Sequence, residues 1–174
     1  MSSINTIIVP IDFSDASREA LRLACALAPG PGRELHLLHV IPDPFRVPGL
    51  ESSAGIEYYA QVERAWKARA QQQLRRIVAD EGLPAAQVIT VVLMGHPASL
   101  IVGYAEEQRA DLIVIGAEGE GAVSRFLLGS VAERVVRHAH VPVLTVPPRR
   151  TAAQEPVPAV SSTLLAKAPV PCDD

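Results

Sequence analysis

Gly116-Ala117-Glu118-Gly119, nine further residues and then Gly129-Ser130 form a pattern suited to holding an anion. Glycine lets backbone N–H groups approach phosphate oxygens with no Cβ in the way. Gly129-Ser130 opens a helical stretch, whose unpaired first N–H groups and positive dipole end favour negative charge. The Ser130 hydroxyl adds a donor. An ordinary glycine-rich turn would account for a lone G-x-x-G. A strand before it, a helix after it and a second glycine–hydroxyl pair favour the phosphate reading.

The second stretch is Pro10-Ile11-Asp12. Proline cannot donate to a sheet ladder, so it suits the end of a central strand better than its middle. Asp12 then stands where a carboxylate can accept from ribose hydroxyls or join the water shell of a metal. It can equally serve to cap the helix that begins near Asp15. Both readings stand on the sequence.

Other chemistries fit poorly. There is no Gly-Lys-Ser/Thr phosphate loop. The turn Asp12 to Ser17 has two acids and no glycine, so it does not cradle a pyrophosphate as a dinucleotide fold does. Gly119-x-Gly121 is followed by Ser124 rather than glycine. His36 and His39 lie three apart on a strand and face opposite sides, which excludes a shared metal. His138 and His140 straddle a helix end where a cation suits the dipole. His96 reads as a turn residue and Cys25 as core. Glu63, Arg64, Lys67, Arg69, Arg75 and Arg76 read as a solvated helix face. Tyr58, Tyr59 and Trp66 read as packing over the sheet edge, with a partner surface as the alternative.

The elements that must position these residues alternate. Ile4 to Ile11 is a short, apolar, β-branched run, as in a parallel strand buried on both faces, and Glu34 to Ile41, Gln87 to Met94, Asp111 to Gly116 and Val141 to Val146 read as four further strands. Between them lie helical patterns. Ser14 or Asp15 caps Ala16 to Ala28, where Ala20, Leu23, Ala24 and Leu27 share one face and Pro29 to Gly32 stops the helix. Pro42 to Gly55 reads as a loop, Ile56 to Asp80 as a long helix closed by Glu81-Gly82. A third helix runs from Pro97 to about Arg109, a fourth from about Ser130 to His138. The alternation predicts βαβ units around a parallel sheet. Residues 149–174, with Pro156, Pro158, Pro169 and Pro171 and no periodicity, read as a disordered tail after a domain of residues 1–148.

Composition sets outer bounds. The 174 residues are 48% hydrophobic, enough for one domain with a real core, and the net charge of −3 gives no footprint for nucleic acid. Two cysteines, no basic–apolar leader and no apolar run of about 20 residues lead to the expectation of a cytoplasmic, soluble protein.

IIVPIDFSDAS, LLHVI, Met94-Gly95-His96-Pro97 and G-x2-G-x9-G-S followed by VAERVVRHAHVPVLTV resemble the universal stress proteins from about Thr6 to Val146. The resemblance implies an open, Rossmann-like five-stranded parallel sheet in order 3-2-1-4-5, with helices on both faces. By that resemblance Pro10, Ile11 and Asp12 line an adenosine pocket, and the backbone of Val40 meets adenine. Gly116, Gly119, Gly129, Ser130 and Val131 hold ribose and phosphates. Relatives lacking the glycine motif do not bind ATP; this chain has it. The family commonly dimerises through its last strand, here Val141 to Val146, an apolar edge that invites pairing.

One departure matters. Glu118 and Glu120 stand where relatives often carry non-acidic residues, and carboxylates repel a triphosphate unless they point away or a divalent cation intervenes. Arg125 compensates in part. The leading expectation is therefore an ATP-binding stress or signalling module, with Mg²⁺ or a ligand of fewer phosphates (AMP, cyclic AMP) as variants. The alternatives are a slow ATPase, with Asp12 organising Mg²⁺, and a scaffold whose pocket is vestigial.

Overall fold

The structure, a computed structural model, describes residues 4–27, 30, 32–43, 53–84, 87–118 and 128–148. Five strands, β1 (Thr6–Pro10), β2 (Glu34–Ile41), β3 (Val88–Met94), β4 (Leu112–Gly116) and β5 (Val143–Val146), alternate with four helices. These are α1 (Asp15–Leu27), α2 (Ser53–Asp80), α3 (Pro97–Glu107) and α4 (Ser130–His138). The strands are all parallel and lie in the order β3-β2-β1-β4-β5. The expected architecture holds.

Alternation along the strands builds two cores. Ile7, Val9, Leu35, Leu37, Leu112 and Val114 face α1 and α2, meeting Ala20, Leu21, Ala24, Leu74 and Ile77. Ile8, Leu38, Val40, Ile113 and Ile115 face the other way, onto Ile101 and Ala105 of α3 and Ala132 and Val135 of α4. This two-sided burial is why the central strands read as continuous apolar runs. His36 and His39 fall on opposite faces as expected. His36 meets the Tyr104 hydroxyl at 2.9 Å, while His39 reaches the Ile11 carbonyl at 2.7 Å.

Several boundaries differ from the sequence reading. β5 starts at Val143 rather than Val141, because Pro142 has no N–H and joins the ladder through its carbonyl, which accepts from Ile113. Ser53 to Gly55, read as loop, belong to α2. In α1 the buried face is Ala16, Ser17, Ala20, Leu21 and Ala24, whereas Leu23 and Leu27 are each 36% exposed. Ser17 can turn inward because its hydroxyl donates to the Ser14 carbonyl. Of the aromatic trio, Tyr59 reaches Asp43 and Met94 at the end of β3, but Tyr58 is 64% exposed and does not pack over the sheet.

The sheet is pinned at its lower end by Asp111, whose carboxylate accepts from the backbone N–H of Asn5 and of Thr6 at 2.8 and 3.0 Å. Those two bonds hold its pKa below the ordinary carboxylate value. α2 is tied to the edge strand β3 through Gln71, whose amide donates to Thr90 Oγ1 at 2.6 Å. Among the described residues no helix is long and apolar enough to cross a membrane. The tail at 149–174 lies outside the described residues.

Candidate functional site

Strand order reverses between β1 and β4, since the chain leaves β1 toward β2 and β3 and then crosses back to β4 and β5. At such a switch the loops leaving adjacent strands part and open a crevice at the carboxyl ends of the sheet. A cavity of about 500 Å³ lies there, within the roughly 300–1,000 Å³ of small-molecule sites.

The β1 side is built by Pro10, Ile11 and Asp12. β1 ends at Pro10, as its missing N–H requires, and the Ile11 N–H makes one last bond to the Leu38 carbonyl at 2.9 Å. Asp12 follows at the lip of the cleft, where it supports the cap of α1 instead of forming it. Its Oδ1 accepts from the Ser14 N–H at 3.0 Å and from the Ser14 hydroxyl, and the residue also lines the cleft. Ser14 is the cap of α1, its hydroxyl accepting from the Ser17 N–H at 3.2 Å. Between Asp12 and Ser14, Phe13 adopts φ +70, a left-handed conformation that a bulky side chain rarely takes. Its ring lies 4.5 Å from that of His39. Because a carbonyl only accepts, the His39 Nδ1 at 2.7 Å from the Ile11 oxygen carries the proton. Ring contact and hydrogen bond together hold the strained turn that carries Asp12.

The β4 side is built by close approach. A Cβ on Gly116 would stand 2.9 Å from the Ala16 carbonyl carbon and 2.9 Å from the Ser17 nitrogen. Glycine is therefore needed at 116 for space, so that α1 can cross the end of β4. The following peptide closes the loop: the Ala117 N–H donates to the Val146 carbonyl, and the Ala117 carbonyl accepts from the Gly129 N–H, both at 2.7 Å. That pair of bonds brings Gly129 and Ser130, at the start of α4, beside Gly116 and Glu118. Val40 and Leu38 of β2 and Ile101 of α3 supply an apolar wall.

A family model described as the universal stress protein family matches residues 3–147. The chain belongs to the universal stress protein family. Among its relatives, universal stress protein MJ0531 of Methanocaldococcus jannaschii is 36% identical over 141 residues, which is 80% of each chain. Among solved structures, the hypothetical protein MJ0577 of the same organism superposes with a TM-score of 0.72 at 27% identity, covering 86% of this chain and 100% of that one. A universal stress protein from Archaeoglobus fulgidus, solved in complex with dAMP, gives a TM-score of 0.54 at 26% identity over 83% and 99% of the two chains.

In this universal stress protein the cleft brings together Pro10, Ile11, Asp12, Val40, Gly116, Gly129, Ser130 and Val131. Gly119 and Arg125, together with Glu120, Gly121 and Ser124, lie outside the described residues. The lining also includes Ser17, His39, Pro97 and Ile101, which the motif reading did not single out. His39 was open to detection as the neighbour of Val40 at a strand's carboxyl end. Ser17 and Ile101 depend on how α1 and α3 cross the sheet, which no local pattern encodes. Elsewhere His96 is an exposed turn residue ahead of α3, and the His138 Nδ1 bonds the Arg134 carbonyl at 2.8 Å in the last turn of α4. Among the described residues, no three His, Cys, Asp or Glu side chains converge on a point that could hold a metal.

Proposed function

We propose that the cleft between β1 and β4 binds an adenine nucleotide, ATP in the first instance, and that the protein acts as a nucleotide-dependent stress or signalling module in the cytoplasm. The observation that carries this reading is the meeting of the Asp12 turn with Gly116, Gly129 and Ser130 around one 500 Å³ cavity at the strand-order switch. In it, Val40 receives adenine through its backbone, and Pro10, Ile11 and Asp12 flank the adenosine. Gly116, Gly119, Gly129, Ser130 and Val131 hold ribose and phosphates, with Arg125 as a counter-charge and Mg²⁺ an optional bridge to the carboxylates. The dAMP complex of the Archaeoglobus relative supports the ligand class. The apolar edge strand β5, paired on one side to β4, supports a homodimer through that strand.

Glu118 in the cleft wall favours a second reading. With Asp12 it places two carboxylates near the phosphates, which suits a ligand of one phosphate better than three, or else an empty scaffold. Heat-released supernatant from purified protein should contain adenine nucleotide. Calorimetric titration of stripped protein with ATP, AMP and cyclic AMP, with and without Mg²⁺, ranks them. Micromolar ATP binding fits the proposal, AMP or cyclic AMP alone fits the second reading, and no binding by any of them overturns the nucleotide function.

A further inference from the structure

β2 parts from its two neighbours at different heights. On the β3 side its pairing runs to Ile41↔Met94, and the Gly95 N–H adds a bond to the Ile41 carbonyl at 2.9 Å. On the β1 side the register stops at Pro10↔Leu38, and the bond from the Ile11 N–H to the Leu38 carbonyl is the last. Successive residues of a strand point their backbone groups to alternate sides, so Val40 turns its N–H and C=O to the same side as Leu38, past the end of β1. Val40 lines the cleft there.

The next rung of the β1–β2 ladder would run from the Val40 N–H to the Ile11 carbonyl. It is not formed. The Ile11 carbonyl instead accepts from His39 Nδ1 at 2.7 Å. Phe13, at φ +70, sets its ring 4.5 Å from the imidazole, so the chain turns off β1 against the same side chain. The side chain of one residue thus takes the acceptor that the amide of the next would claim.

We propose that His39 is a positioning residue for base recognition: by holding the Ile11 carbonyl, it keeps the Val40 N–H and C=O open to the cleft, where the pair reads adenine. The inference rests on the nucleotide reading of the cleft. An N–H and a C=O side by side match the N1 acceptor and N6 donor of adenine, whereas guanine presents the reverse, a donor at N1 and an acceptor at O6. A rung closed onto Ile11 would consume the Val40 donor. A carbonyl left without a partner is costly, and once the imidazole is gone the next donor along the ladder is the Val40 N–H.

The test compares the full chain with two variants. His39→Phe keeps a ring against Phe13 but has no donor, and His39→Asn offers an amide nitrogen at the place of Nδ1. Amide hydrogen exchange of the ligand-free proteins, followed by NMR, reads the rung directly. In His39→Phe the Val40 amide should exchange roughly five- to tenfold more slowly than in wild type. Lost stability alone would speed exchange, so it does not mimic this result. Titration with ATP, GTP, AMP and GMP reads the consequence. His39→Phe should weaken the adenine nucleotides roughly tenfold and narrow their margin over the guanine ones, while His39→Asn keeps both near wild type. Val40 exchange that is unchanged or faster in His39→Phe, or an unchanged margin, overturns the role of His39 and leaves the nucleotide cleft standing. So does a wild type that binds guanine as well as adenine. If wild type binds none of the four, the nucleotide reading falls and the base-reading role with it.

Discussion

Replacing Gly116 by alanine tests the packing on which the cleft depends. The added methyl would meet the Ala16 carbonyl carbon and the Ser17 nitrogen at 2.9 Å, and the Ala16 Cβ at 3.1 Å. Two of these three atoms are backbone, so no rotamer change can yield the space. The obstruction must be relieved by moving α1 away from β4, yet α1 is seated by Ala20, Leu21 and Ala24, each fully buried. Overpacking that forces a backbone shift costs about 1–3 kcal/mol, or roughly 2–12 °C in Tm for a chain of this size. The same shift would displace Ser17 and the Asp12 turn, so ligand affinity should fall with stability. Gly103→Ala is the matched control. Its Cβ meets nothing, it sits within α3, and it should raise stability by about 0.5–1 kcal/mol through the lost freedom of glycine. Urea and thermal unfolding followed by circular dichroism give both values. A Gly116→Ala protein as stable as wild type, with unchanged ligand binding, would refute the close approach of α1 to β4.

His39→Phe keeps the ring contact with Phe13 but removes the donor to the buried Ile11 carbonyl; stability should drop by about 1–2 kcal/mol in urea unfolding. Asp111 gives a pH signature. Its pKa is depressed when folded, so its stabilisation is present above the unfolded carboxylate value of about pH 4 and is lost as pH falls through the folded value. Asp111→Asn should therefore be less stable than wild type at neutral pH, and the gap should close in acid, as equilibrium unfolding between pH 7 and 2.5 will show. A nucleotide held at about 100 times its Kd should add roughly 2.7 kcal/mol of stability, visible as a rise in Tm.

Legibility in the sequence followed the physics of each element. β2 was readable residue for residue from Glu34 to Ile41, because Leu35, Leu37, Leu38, Val40 and Ile41 form an apolar run long enough for a strand buried on both faces, and it ends where proline follows. The start of β5 was misplaced because Pro142 looks apolar but has no N–H for the ladder. The face of α1 was shifted because Ser17, polar by type, is satisfied by Ser14 and so can be buried. Within the cleft, the residues announced by backbone chemistry, a proline at a strand end and glycines flanking a loop, were visible in the chain. Gly116 was read as a phosphate contact, and its packing role against α1 emerges once the helix is placed. Ser17 and Ile101 enter the site through tertiary register alone.

Ala117 illustrates a kind of functional residue that side-chain scanning misses. Its peptide links the end of the edge strand to the start of α4 through one donor and one acceptor. The loop between Ala117 and Gly129 is thus clasped at its base by two main-chain bonds. A clasp of that kind is indifferent to the letters it encloses. Substitutions between them leave untouched the two bonds that hold the base of the loop.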